Sequence, residues 1–238
     1  MARLWLEPVL PHIVAIPIVC ALIALGIARG APWLIALSLA GAALHATMVV
    51  PRAIRRRRLL LAPFPEAYRE FLARSVRFYR GLDAAGRLRF EQHVLLALAD
   101  YRFEAVDGAR LDDEVRVLTA AAAAILAHGA ARWPFRGERT VLVYPNHFDP
   151  TYAVGASHEL AGMVHAQGPI VLSSRALRDG FRAERDGLNV ALHELAHELD
   201  LDDGHADGAP IGVSGRALGP WLSLMTSRMR LASRHRSV

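Results

Sequence analysis

Hydrophobic positions crowd the start of the chain. Residues 12–28 and 31–50 form two apolar runs without Asp, Glu or Arg, parted by Arg29 and Gly30. As helices they would extend about 25 and 30 Å, the scale of a bilayer core, so the pattern predicts a two-helix transmembrane hairpin over residues 1–51. A signal peptide followed by a mature protein is the alternative, but the apolar region exceeds an ordinary signal core and a second run follows it. A buried core hairpin would look similar in sequence. Arg52 and the four arginines at 55–58 suggest a basic linker over 52–62. From Pro63-Phe64-Pro65 onward the pattern becomes that of a globular domain, expected over 63–238.

Within that domain the three-to-four-residue spacing of apolar positions predicts helices at 66–80, 83–101 and 111–131, with Asp83 as an N-cap. The alanine run near residue 120 reads as a tightly packed core helix. Short β-rich stretches at 140–145 and 168–173, bordered by Gly and Pro, predict strands. A last helix begins after Asn189, a plausible N-cap, with Val190, Leu192, Leu195, Ala196 and Leu199 as its apolar surface and the stretch D-L-D-D-G at 200–204 as its stop. The expected fold class is α+β: a mainly helical domain in which a small sheet abuts this helix.

That helix carries H-E-L-A-H at 193–197. Residues four apart share a helical face, so the imidazoles of His193 and His197 can converge on one ion, with Glu194 beside the first. Catalytic zinc takes three protein ligands and one water, whose pKa it lowers to about 7. Glu194 is then the general base that receives the proton of that water and passes it to the leaving amine. An amphipathic helix with two surface histidines is the bland alternative.

The surroundings go further. T-V-L-V-Y-P at 140–145, G-P-I-V-L-S at 168–173, L-N-V-A-L-H-E-L-A-H-E-L-D at 188–200 and G-H-A-D-G-A-P at 204–210 resemble, in order and spacing, the MtfA family of bacterial zinc peptidases. The resemblance implies a zincin-like metallopeptidase fold with Zn2+ held by His193 and His197, Glu194 as catalytic base, and Asp200 behind the metal, orienting a histidine through its free ring nitrogen. It also implies peptidase activity and, for the relatives, a link to a sugar-uptake repressor as protein partner.

The family takes its third ligand from a Glu on a later helix, and after Asp207 this chain has no Asp or Glu. Three explanations stay open. A local group substitutes, Asp203 six residues after His197 being the first candidate, with His205 and His235 behind it. Alternatively the chain is C-terminally short of its relatives, the explanation ranked first, or it binds without catalysing. On that last reading it would be a membrane-tethered binding or regulatory protein.

Strand addition is a common way to hold an extended peptide; Ile170, Val171, Leu172 and Ser173, just upstream of the helix, are the expected substrate-binding strand. Tyr144, His147, Tyr152, His158 and His165 lie between the strands, where a lone histidine is more often a solvated side chain than a catalytic one.

Composition adjusts this reading only slightly. The 28 basic residues are all Arg, and the formal net charge is +5. Without interleaved aromatics the arginine run is a poor nucleic-acid patch, and no nucleic-acid partner is expected. It suits anionic lipid head groups better. Basic residues flank both spans on the side away from Arg29, so the positive-inside rule places the termini and the peptidase domain in the cytoplasm, anchored in the bacterial inner membrane. The lone Cys20 excludes an intrachain disulfide.

Overall fold

A computed structural model describes residues 15–130, 133–135, 137–148, 161–164, 168–183, 189–201 and 215–235. Helix α1 (Ala15–Ala28) and helix α2 (Pro32–Leu61) pack against one another across a turn in which Gly30 takes a left-handed φ of 59°. They touch closely at Gly26, where an added Cβ would lie 2.8 Å from Ile35 Cγ1. Among the described residues α2 is the one helix long and apolar enough to cross a membrane; the 14 described residues of α1 rise about 21 Å. Of the transmembrane hairpin expected from the sequence, the described residues show one candidate span, α2, beside the apolar helix α1.

The basic stretch from Arg52 is not an irregular connection. It continues α2 as helix to Leu61, through Pro51 in its interior. Its far end docks on the domain: Leu59 and Leu60 pack on the main core, Ala53 is buried, and Arg55 donates to the Ala99 carbonyl at 3.3 Å and to Glu138 at 3.2 Å.

Helices α3 (Glu66–Ser75) and α4 (Arg77–Arg80) replace the single helix expected at 66–80, because Val76 between them is extended, at φ −119° and ψ 102°. Helix α5 (Ala84–Asp100) begins at the expected cap, the Asp83 carboxylate accepting from the Gly86 amide at 2.7 Å. Strand β1 (Tyr101–Ala105) follows without a break and was not apparent in the sequence. Helix α6 (Asp113–Ala127) is the alanine-rich one, and Ala120 to Ala124 are wholly buried. Their small side chains let α5 and α8 close on it from either side. Strand β2 (Arg139–Tyr144), the short strand β3 (Gly162–Val164), strand β4 (Ile170–Ser173) and helix α7 (Ser174–Arg182) lead to helix α8 (Val190–Leu201); a 3-10 turn then precedes helix α9 (Leu218–His235).

The four strands form one sheet in the order β1, β2, β4, β3. The first three are parallel, and β3 runs antiparallel to β4 at the margin. One face carries Val141, Val143, Ile170 and Leu172 into the main core with Ala191 and Leu195 of α8. The other bears a small cluster of Tyr144, Phe148 and Val171.

Candidate metal centre and active site

Helix α8 starts where its sequence says it should: the Asn189 side-chain carbonyl accepts from the Leu192 amide at 3.1 Å. Four positions turn inward, Ala191, Glu194, Leu195 and Glu198. The imidazoles of His193 and His197 lie on the exposed side. Their Nε2 atoms stand 3.2 Å apart with the rings nearly perpendicular, at 89°. Two nitrogens held by tetrahedral zinc at about 2.0–2.1 Å must be about 3.3 Å apart, and the separation of the pair matches that spacing. Among the described residues no third His, Cys, Asp or Glu joins them.

Glu194 is only 6% exposed. Burial raises its carboxyl pKa above the usual carboxylate value, and the neighbouring His197 opposes the shift. The side chain lies under the sheet margin at Gly162, where a Cβ would stand 2.5 Å from Val190 Cγ2 and 2.7 Å from Glu194 Cγ. Only a residue without a side chain lets β3 approach the helix this closely. Asp200 is half-buried on the same outer side of α8 as the imidazoles. Asp203 and His205 lie outside the described residues, as do Tyr152, His158 and His165.

The substrate strand is placed differently from expectation. Ile170, Val171, Leu172 and Ser173 form an interior strand, paired with β2 on one side and β3 on the other, and all four are buried. Ser173 caps α7, its hydroxyl accepting from the Ala176 amide at 3.1 Å. With its backbone groups engaged on both sides, β4 has no free edge for strand addition. The margin nearest Glu194 belongs to β3. Tyr144 sits on the sheet face away from α8.

Sequence reading also passed over Glu198, 8% exposed. The Tyr101 hydroxyl donates to it at 3.2 Å, and the Arg139 guanidinium lies 3.7 Å from its other oxygen. Burial and this carboxylate raise the Tyr101 hydroxyl well above its ordinary pKa, which keeps it a donor. An acid four residues after Glu194, on the inward side of an amphipathic helix, was the available signal.

A helix thus presents two neighbouring imidazoles and a buried carboxylate against the margin of a small mixed sheet. The sequence model of the family described as Glucose-regulated metallo-peptidase M90 matches residues 51–237, and the chain belongs to that family. It is 29% identical over 171 residues to the uncharacterized protein slr2042 of Synechocystis sp., covering 66% of this chain and 60% of that one. It is 33% identical over 103 residues to Mlc titration factor A of Yersinia enterocolitica, covering 38% and 36%. The corresponding Yersinia pestis protein is 34% identical over 100 residues, again covering 38% and 36%. The matched stretches thus span less than two thirds of each relative's length.

Proposed function

We propose that the chain is a membrane-anchored zinc metallopeptidase that hydrolyses peptide bonds with Glu194 as general base. The observation that carries this reading is the 3.2 Å Nε2 separation of His193 and His197 with the buried Glu194 carboxyl beside them. His193 and His197 would hold the metal, with Asp203 as candidate third ligand and Asp200 orienting an imidazole. Bound zinc would supply a Lewis acid that polarises the scissile carbonyl and acidifies the attacking water.

Glu194 takes the proton of that water and returns it to the departing amine. The substrate backbone lies against β3, whose margin borders Glu194, as an added strand. The peptide substrate is presented at the cytoplasmic face of the membrane in which α2 sits.

A second reading rests on the names of the relatives: a regulatory protein that binds a partner without cleaving it. Relatives are named for titrating Mlc, which makes a protein regulator the class of partner to try. Zinc analysis of the detergent-purified full chain separates the two readings. The peptidase retains one zinc per chain through gel filtration, and Glu194→Gln keeps the metal while cutting peptide hydrolysis by at least about a hundredfold, the scale of losing a general base. A protein without retained zinc, or a Glu194→Gln variant as active as the parent, overturns it. Asp203→Ala loses zinc if Asp203 is the third ligand.

A further inference from the structure

Helix α8 is held to the sheet at two separate points. Near its start, Val190 and Glu194 press on Gly162 of β3 at one margin. One turn beyond Glu194, Glu198 reaches Tyr101 and Arg139 on β1 and β2, toward the opposite margin. Tyr101 and Arg139 are ladder partners in the β1–β2 register, so their side chains leave the sheet on the same face. They meet one carboxylate from two strands.

An acid at this inward position, with Ala191 and Leu195 beside it, costs desolvation that a leucine would not. What it gains is direction, because a hydrogen bond and an ion pair fix an orientation that apolar contact leaves loose.

We propose that Tyr101, Arg139 and Glu198 form a positioning clamp that sets the roll of α8 about its axis and thereby aims Glu194 at the margin of β3. This rests on the metallopeptidase reading above. Glu194 and Glu198 are four residues apart on one face, so fixing one fixes the roll of the other. Gly162 leaves no slack on the opposite side. The pair of His193 and His197 is internal to the helix and keeps its spacing whatever the roll. Releasing the clamp therefore separates two properties that ordinary destabilisation would damage together: the metal pair persists while the helix, carrying Glu194 with that pair, is misaimed relative to the margin of β3.

The test uses the full chain in detergent micelles with Tyr101→Phe, Glu198→Gln and the double variant, measuring zinc content, kcat and KM on a peptide, Tm, and amide exchange by mass spectrometry. Tyr101→Phe removes one oxygen, and Glu198→Gln keeps the shape and an acceptor but loses the charge facing Arg139. Each single variant keeps its zinc and a KM within about threefold of the parent, whereas kcat falls roughly 10- to 100-fold, as expected when a reacting group is misplaced by about 1 Å. Amides of 190–201 exchange faster while those of β4 do not. The double variant is scarcely worse than either single one, because the three groups act as a unit. The clamp is overturned by unchanged exchange in α8, by additive effects, or by kcat, zinc content and Tm falling in proportion. Should the parent itself prove to hold no zinc and cleave nothing, the peptidase reading fails alone, since exchange and non-additivity still decide the clamp.

Discussion

Gly162 matters because of what is missing from it. A methyl group there would sit 2.9 Å from Glu194 Oε1 and closer still to Val190, with the helix on one side and the rest of the sheet on the other. Gly162→Ala should cut activity more than tenfold while costing about 1–3 kcal/mol, the usual penalty of overpacking; an alanine variant with parental kcat would show that the margin can yield. A second prediction concerns His93, buried on α5 against Trp133. Burial first, then the nearby His128, Arg89 and Arg56, lower its pKa to about 4. Unfolded, it takes its proton near pH 6.5, so it penalises the fold only as pH falls below that value. Stability is retained above about pH 6.5 and lost as pH drops toward 4, by at most about 3 kcal/mol. In urea titrations at several pH values His93→Gln should flatten that decline. Of the site residues, His193, Glu194 and His197 were legible because their relation is local, fixed by helical spacing alone. Gly162 and Glu198 take their meaning from strands far away in sequence: Tyr101 and Arg139 come together only through the pairing of β1 with β2.

The elements themselves were read with mixed success, for reasons that follow from chain chemistry. Helices α5, α6 and α8 have caps or long apolar spacing, and the capping carboxylates of Asp83 and Asp112 accept backbone amides as such residues do. The division at Val76 has no Gly or Pro to announce it. Strand β3 is only three residues long, and β1, although Tyr101 to Ala105 alternate apolar and polar, follows α5 with no intervening turn residue to mark its start. Helix α6 offers a test of how tightly the elements close. Ala122 has no exposed surface, and α6 is the helix on which both α5 and α8 pack. Replacing it by Leu should destabilise the domain by about 1–3 kcal/mol, seen as a lower Tm; a variant that melts with the parent would mean the interface is loose enough to absorb three extra carbons.

For the whole molecule the question is how the apolar end and the folded domain relate. Exposed Ile18, Leu22, Trp33, Leu37, Leu44 and Met48 line α1 and α2, the kind of apolar surface that a membrane or a partner covers. The full chain should accordingly remain with membranes through alkaline carbonate washing and be released by detergent; recovery in the carbonate supernatant would sink the anchoring. The family match begins at residue 51, inside α2 rather than after it. That helix is unbroken from its apolar half to Leu59 and Leu60 in the core. Proline lacks an amide hydrogen, so Pro51 inside the helix cannot donate a backbone bond, which marks a natural bending point. For a chain held in a bilayer by α2, the domain is mounted on a post with a single pivot and cannot roam as a tethered body would. Its working height above the lipid is set by helix length, and partners would be selected by how far above the surface they offer a bond as much as by the residues around it.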